Sequence, residues 1–510
     1  MPDEIELKLG LPPKEFRRLK ALPWLRALAE NPSTKRTLVS IYYDTKKCTL
    51  RDQGVSLRVR CVGERRLQTI KASGAGAPFA RKEWEMEISG DQPDFGCMRG
   101  TALEPLLSKT LKRNLKPVFE THVGRTTWLI RMEDSEVELA MDHGTIKCAG
   151  LSRPISEVEL ELKRGDPSAL CKIAARLSQA LPVRYGVKTK PERGYALLEG
   201  RYDKPAWSEA VVLKRGTDTG AAFQAIGLSC LRHLASNEDA VRKRDGEGIH
   251  QMRVGLRRLR AAISIFKGIL QDRQSETIKA ELKWLTEQLA PARDYDVFLE
   301  DSVASKSQSQ PGQMAALHAV LLQQRDIGFA KARDAVASER YRRLVLGAAL
   351  WLASGNWSRY QDSGRRRRRA RSAKDMAREI LTKRTKKIVK KIKVLKTLDA
   401  AHRHKLRIAI KKLRYATEFF DTLFPANKKE RKALSKALEK LQSAMGKLND
   451  IRVHESLVND IVCQATIAKH RETSLAVDLV KKKDQKSIKP LLAAAAKAGG
   501  RLARLKPFWK

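Results

Sequence analysis

The hydrophobic period of this chain changes once. Apolar residues alternate with charged ones up to about residue 200, and they recur at helical spacing from about residue 216 onward. A period of two puts successive side chains on opposite faces of a strand, whereas a period of 3.6 draws a stripe along a helix. No single layer satisfies both, so the chain divides into a β-rich part followed by an all-α part. At 510 residues it is also too long for one ordinary core. Alternation is clearest in Glu4–Leu9, Val55–Arg60, Leu67–Lys71, Glu83–Ile88, Glu136–Asp142 and Glu157–Lys163. Helical patches over Lys14–Ala29 and Pro167–Ala180 interrupt it, and Asp203–Trp207 reads as a linker.

The residues that alternate with the apolar ones are unusually pure in charge. Glu4, Glu6 and Lys8 share one face, as do Arg58 and Arg60, Thr69 and Lys71, and Arg81, Glu83 and Glu85. Glu138 and Asp142 share another, and so do Glu157, Glu159, Glu161 and Lys163. On any one strand such a face is most simply a solvated one. Across six strands, however, acids gather on some and bases on others. Carboxylates at i,i+2 suit a hard cation such as Mg²⁺ or Mn²⁺, and bases at i,i+2 can grip successive phosphates. If the sheet closes, both sets line a polar interior, which is the equipment of phosphoryl transfer. No Ser-His-Asp or Cys-His arrangement is apparent, so no covalent intermediate is indicated. A lysine whose pKa is lowered by neighbouring cations is a candidate general base.

The charge is unevenly spread. The whole chain carries +44, with 102 basic against 58 acidic residues. Residues 1–200 hold 35 basic and 26 acidic residues and the remainder 67 and 32, so most of the excess lies in the helical part. Such an excess calls for a polyanion: nucleic acid, an anionic membrane or a phosphate polymer. Aromatics are only 6% and no base-reading module is evident, so specific nucleic-acid binding is not expected. Seven scattered cysteines without a C-x-x-C pair indicate reduced thiols. The acidic start lacks a signal-peptide pattern, and the longest apolar stretch, Leu344 to Ala353, is too short to span a bilayer. A cytoplasmic protein without membrane partners is expected, with association with polyphosphate granules as an extension of that reading.

The helical part repeats itself. His250-Gln-Met-Arg-Val-Gly-Leu-Arg-Arg-Leu-Arg260 matches His404-Lys-Leu-Arg-Ile-Ala-Ile-Lys-Lys-Leu-Arg414, and Leu289–Val297 resembles Met445–Val453 at nearly the same offset. Two tandem helical bundles are the simplest reading. The arginine run 365–371, following Asp362-Ser-Gly, is expected to be a connection between them. On a helical wheel His250, Arg253, Arg257 and Arg260 share one face beside an apolar stripe, and His404, Arg407, Lys411 and Arg414 repeat the arrangement. A single basic face is ordinarily solvated. The same His/Arg spacing in two copies points to a binding surface for a repeating polyanion.

The first 200 residues resemble the CYTH domain of the triphosphate tunnel metalloenzymes, of the inorganic triphosphatase type. The matching segments are Glu4-Ile-Glu-Leu-Lys8, Tyr42-Tyr-Asp-Thr45, Gly54-Val-Ser-Leu-Arg-Val-Arg60, Thr69-Ile-Lys71 and Arg81-Lys-Glu-Trp-Glu85. They continue through Glu138-Leu-Ala-Met-Asp142, Ile155-Ser-Glu-Val-Glu-Leu-Glu-Leu-Lys163 and Lys190-Pro-Glu-Arg-Gly-Tyr195. The resemblance implies an eight-stranded antiparallel β tunnel that hydrolyses inorganic triphosphate to diphosphate and phosphate with Mg²⁺ or Mn²⁺. Glu4, Glu6 and Lys8 would be catalytic, and Glu4, Glu6, Glu159 and Glu161 would hold metal. Lys8, Arg58, Arg60, Lys71, Arg81, Arg125 and Lys190 would bind phosphate, with Glu83, Glu85, Glu138 and Asp142 as supporting tunnel acids. The arginine at 81 can instead sit at a strand start facing solvent.

Residues 216–510 resemble the CHAD domain, the conserved-histidine α-helical domain, through the two His-x-x-Arg segments, Arg293-Asp-Tyr-Asp296 and Asn449-Asp450. That resemblance implies two four-helix bundles, about 216–360 and 372–510, around a basic cavity that binds inorganic polyphosphate through His250, Arg253, Arg257, Arg260, His404, Arg407, Lys411 and Arg414. Asn449 stands opposite Arg293, so the second copy's loop is expected to be the weaker. The expected organisation is a tunnel domain over 1–203, a linker over 204–215 and the helical domain. A non-catalytic polyphosphate scaffold, or a tunnel acting on a nucleotide or thiamine triphosphate, are the alternatives.

Overall fold

In the computed structural model, which describes residues 4–73, 79–270, 272–303, 311–359, 362–464 and 467–510, eight strands form one antiparallel sheet that closes on itself. They are β1 (Glu4–Gly10), β2 (Thr34–Asp44), β3 (Val55–Val62), β4 (Arg65–Ser73), β5 (Ala80–Ile88), β6 (Lys116–Met132), β7 (Ser135–Cys148) and β8 (Leu151–Arg164). The order is β5-β4-β3-β2-β6-β7-β8-β1, and β1 returns to β5 with Glu4 opposite Arg81 and Ile5 opposite Ala80. A two-residue strand, β9 (Arg184–Tyr185), adds to the C-terminal end of β1. The expected closed β tunnel is therefore present. Two of its strands, β2 and β6, were not among the alternating segments. Their buried positions include Ser40, Thr121 and Thr126, so polar residues blur the alternation that betrays the other six.

The barrel is apolar outside and charged within. Leu7, Leu9, Val137, Leu139, Met141, Val158 and Leu160 pack outward into one core with Leu170, Ile173, Ala174 and Leu177. The latter four lie on the helix at 168–180, which forms where the sequence predicts it. Six helices accompany the strands: α1 (Phe16–Lys20), α2 (Pro23–Leu28), α3 (Thr49–Asp52), α4 (Lys109–Asn114), α5 (Ser168–Ala180) and α6 (Lys190–Leu198). The Thr189 hydroxyl caps the amide of Glu192 while the Glu192 carboxylate returns to the amide of Thr189, a reciprocal cap that fixes where α6 begins.

The remaining helices are α7 (Thr219–Ala235), α8 (Glu238–Arg242), α9 (Gly246–Ile265), α10 (Arg273–Val303), α11 (Pro311–Ala337), α12 (Glu339–Ser354), α13 (Ser363–Ala370), α14 (Ala373–Lys393), α15 (Ala400–Phe419), α16 (Lys428–Gln464) and α17 (Ile467–Arg504). One set packs α7 on α9, α9 on α10 and α10 on α11, and the second packs α14 on α15, α15 on α16 and α16 on α17. Two compact units result: residues 1–205 with 339–355, and 206–338 with 356–510. Helix α12 thus leaves the repeat expected over 216–360, because Leu346 is buried in the core outside the barrel and Leu350 packs beside it.

Two local expectations change. The arginine run is not a connection but helix α13, started by Asp362, whose carboxylate accepts from the Gly364 amide. The segments holding Arg293 and Asn449 are not loops but lie within α10 and α16, and α10 continues through Pro291. Six cysteines are free thiols, the Cys463 side chain lying outside those described. No helix among the described residues is long and apolar enough to cross a membrane.

Candidate functional site

Closure turns the charged alternates of the strands toward one another. Lys71 on β4 donates to both carboxylate oxygens of Glu4 on β1, at 2.8 and 2.7 Å, and lies 3.3 Å from Glu83. Arg58 on β3 lies 3.8 Å from Glu83 on β5. Arg125 on β6 grips Asp142 with two bonds of 2.7 and 2.6 Å and also reaches Glu159 on β8. The Lys71–Glu4, Arg58–Glu83 and Arg125–Glu159 pairs each skip an intervening strand, which the concave face of a closed sheet allows. The strand register stacks the acids in rows, with Glu6 opposite Glu161 and Glu161 opposite Glu138, while Lys8 stands opposite Glu159.

The deepest group is built around Lys190, the first residue of α6. Its ammonium lies 2.7 Å from Asp142 and 2.8 Å from Glu159 and also pairs with Glu157. Arg193, a turn further on, reaches Glu157 at 3.2 Å, and Lys8 pairs with both Glu159 and Glu6. Burial alone would drive these groups toward their neutral forms. Mutual attraction overrides it. Asp142, Glu157 and Glu159 hold the Lys190 pKa above the ordinary lysine value, and Glu159 with Glu6 does the same for Lys8. In return Lys190, Lys8 and Arg125 hold Glu159 well below the usual carboxylate range. The expected base, a tunnel lysine with a lowered pKa, is therefore not found at Lys8 or Lys190: the acids around them outweigh both burial and the neighbouring cations, Lys190 beside Lys8 and Arg125 beside Lys190.

The four residues expected to hold metal are divided. Among the described residues, the carboxylates whose oxygens lie within 4.8 Å of one another are Asp142, Glu157 and Glu159, all buried. Glu4, Glu6 and Glu161 each engage a lysine instead: Lys71, Lys8 and Lys163 respectively, the last at 2.6 Å. Glu138 stands 3.9 Å from the same Lys163. The donor set fits a hard divalent ion, since every candidate ligand is a carboxylate oxygen. Crowding fits it too. Burial raises the Glu161 pKa against the pull of Lys163, and Glu4 and Glu138 nearby add to the rise, so three carboxylates share this part of the lumen.

Among the lumen bases Arg60 differs, with a hydroxyl where Lys71, Arg58 and Arg125 have acids. Arg60 donates to the Ser40 hydroxyl at 3.2 Å, and burial with Arg58 and Arg125 nearby pushes its pKa down to about 10. Arg81 lies at the closing seam, opposite Glu4, rather than at an open strand start. Glu85 accepts from Thr69 at 3.1 Å. Two lumen residues escaped the sequence reading as site residues. Glu157 completes the buried carboxylate group, and its signal was its place two residues before Glu159. Tyr42 is 2% exposed, with its phenol among Arg58, Arg60 and Lys190; their charge pulls its pKa below the ordinary value although burial opposes this. Its position opposite Arg58 in the register was the missing signal.

In the helical unit α9 and α15 pack together and merge the two repeats into one cationic cluster. Arg253 lies 3.3 Å from Asp294, yet burial and the nearby Arg257, Arg293 and Arg407 press its pKa down to about 10. Burial with Arg257 and Arg407 holds Lys411 down at about 7. The pKa of Arg407 is likewise lowered by burial, Arg257 and Arg452, against the pull of Asp450, and that of His250 by burial, Arg293 and Arg257. His404 Nδ1 lies 2.8 Å from Asn449 Oδ1, and since an amide oxygen only accepts, Nδ1 carries the proton. Asn449 thus orients the second histidine. Arg260 donates to the Thr286 hydroxyl at 3.0 Å, and Arg414 is half-buried a turn beyond Lys411.

The CYTH domain family matches residues 2–195, and the CHAD domain family matches residues 225–459. The chain carries a CYTH domain and a CHAD domain. Its CYTH domain is 31% identical over 201 residues to an inorganic triphosphatase of Haemophilus influenzae. That alignment takes in 39% of this chain and 55% of the relative, so the chain spans about half the length of the curated relative it matches. Its CHAD domain is similar to the crystal structure of the CHAD domain from the plant Ricinus communis, with a TM-score of 0.51 and 29% identity over 59% of this chain and 97% of that one.

Proposed function

We propose that the CYTH unit hydrolyses inorganic triphosphate to diphosphate and phosphate with Mg²⁺ or Mn²⁺, and that the CHAD unit binds inorganic polyphosphate. The observation that supports the first part is the closed, charged lumen, in which acids of β1, β7 and β8 pair with Lys71 and Arg125 while Arg58 reaches Glu83 and Arg60 the Ser40 hydroxyl. Arg58, Arg60, Arg125 and Lys8 bind and orient the phosphate chain, the arginines by their fork geometry. Glu4, Glu6, Glu159 and Glu161, with Glu138 beside them, would hold the divalent ion. When bound there, the ion supplies charge neutralisation at the terminal phosphoryl group and an activated water.

The residues' present pairing gives substrate binding a direct consequence. Lys71 is committed to Glu4 and Lys8 to Glu6. A phosphate chain that draws both ammoniums away leaves those carboxylates free, so anion binding exposes the acids that a divalent cation needs. Substrate and metal are then mutually reinforcing, each relieving the charge that the other uncovers.

The merged cluster of Arg253, Arg257, Arg407 and Lys411 supports the second part. Arg253, Arg407 and Lys411 are held below their ordinary pKa values, so an anion entering the cluster gains more than it would from solvated bases. The test is phosphate release by the purified protein from tripolyphosphate, ATP and long polyphosphate with Mg²⁺, Mn²⁺ or EDTA. Tripolyphosphate hydrolysis that requires metal and is lost in Glu4→Ala and Glu6→Ala is expected, and activity unaffected by either change removes the proposed site. For the helical unit, long polyphosphate should displace duplex DNA at moderate salt, and Arg257→Ala with Arg407→Ala should abolish that advantage.

A further inference from the structure

Helix α15 presents a second set of bases on a different face. His404, Arg407, Lys411 and Arg414 belong to the central cluster or its edge, whereas Lys405, Ile408, Ala409 and Lys412 recur at i, i+3, i+4 and i+7 about a third of a turn away. With Arg384, Lys387 and Ile388 of α14 they line a groove of about 210 Å³. All four polar residues lining it are cationic and none is acidic.

Among the described residues no carboxylate pairs with the bases that line it. Lys412 donates to the neutral hydroxyl of Ser264 on α9, at 3.0 Å, rather than to a carboxylate. Arg260 and Lys267, also from the α9 side, add positive charge next to it. Burial holds the Lys412 pKa below its ordinary value, with Arg384, Arg260 and Lys267 adding to the effect, and burial does the same for Arg384. Arg260, a candidate for the central cluster on sequence grounds, thus also faces this second group.

We propose that the α14–α15 groove is a separate anion site that takes a short inorganic phosphate of one to three phosphoryl groups. Size supports this: 210 Å³ falls short of the roughly 300 Å³ at which pockets for drug-sized organic ligands begin, yet exceeds several waters of about 30 Å³ each. Chemistry agrees, since a guanidinium fork beside mobile ammoniums matches tetrahedral oxyanions. The buried Ile388 beneath the bases lowers the local dielectric and strengthens each charge contact. The site rests neither on the tunnel reading nor on the central cluster, because it shares no lining residue with either.

The experiment is calorimetric titration of the full chain with orthophosphate, diphosphate and tripolyphosphate, in the native protein and in Arg384→Gln/Lys412→Gln. Loss of one bound anion per chain, or a tenfold or greater weakening of one class of sites, is expected, with tunnel hydrolysis of tripolyphosphate unchanged. Lys412→Arg should retain the site, which separates lost charge from damaged packing. Arg257→Ala/Arg407→Ala should retain it too, which separates it from the central cluster. Unchanged stoichiometry and affinity in the double glutamine variant would overturn the proposal. So would a variant that loses binding to duplex DNA while binding of the three small anions is untouched.

Discussion

Lys411 carries its charge against its surroundings, since burial, Arg257 and Arg407 hold its pKa at about 7. The sign of the pH effect follows: the ammonium is present below pH 7 and lost above it, and an anion binds the protonated form. Polyphosphate affinity of the full chain should therefore weaken as pH rises from 6 to 8, and Lys411→Arg, which stays charged, should flatten that dependence. Titrations at three pH values check this; an equal slope in both proteins removes Lys411 from the binding surface. In the tunnel, Arg60 donates to the neutral hydroxyl of Ser40, and under the proposed function it would give phosphate a charge-assisted bond. Arg60→Gln should lower kcat/KM for tripolyphosphate about 10- to 100-fold, the equivalent of one charged hydrogen bond of about 1.5–3 kcal/mol. Which charges share a wall was largely legible in the sequence, because a strand's period fixes the face of each side chain. Glu4, Glu6 and Lys8 do line one wall with Glu159 and Glu161 across the register. Which carboxylates meet at one point was not legible, because the group of Asp142, Glu157 and Glu159 depends on the relative stagger of β7 and β8 and on where α6 begins.

At the scale of the element, α6 is the part that sets the depth of the tunnel charges. Its start is fixed by the Thr189–Glu192 cap, and its flank is set by Gly194, where a Cβ would come within 2.3 Å of the Phe119 ring. Gly194→Ala should destabilise the protein by about 1–3 kcal/mol, the usual cost of overpacking. It should also reduce kcat by shifting Lys190 away from Asp142 and Glu159. A melting curve and a tripolyphosphate assay on the same preparation check both, and a normal melt with normal activity excludes this role for the helix. Thr189→Ala should cost ~1 kcal/mol through loss of the cap alone. Elements with a clean period were readable: six of the eight barrel strands, α5, and the paired helices α9 and α15. Those that were missed have physical reasons. β2 and β6 bury hydroxyls, and the arginines of α13 carry no apolar stripe, so the helix is declared only by the Asp362 cap. The Arg293 and Asn449 segments hold prolines, glycines or acids that suggest a loop, but long helices on either side carry the backbone through.

For the molecule as a whole, the barrel unit is discontinuous: its outer core takes in α12, which follows it by more than a hundred residues. Periodicity reveals that a helix is amphipathic but not which surface it covers, so the sequence placed α12 with its neighbours in the chain. A fragment ending at residue 205 lacks Leu346 and Leu350 and uncovers the apolar faces they pack against. It should melt at lower temperature than the same barrel in the full chain and bind a hydrophobic dye that the full chain does not; equal melting and no dye binding would mean that α12 contributes nothing. The order of synthesis adds a consequence. The short strand β9, added to the barrel after its eighth strand, ends at Tyr185, and about 160 further residues must be made before Leu346 follows, a delay of roughly 8–32 s at ribosomal speeds of about 5–20 residues per second. Throughout that interval a nascent barrel whose greasy surface is on the outside waits without its last cover. A chaperone that shields this patch on the ribosome, or a pause that gives it time, would then raise the yield of folded protein.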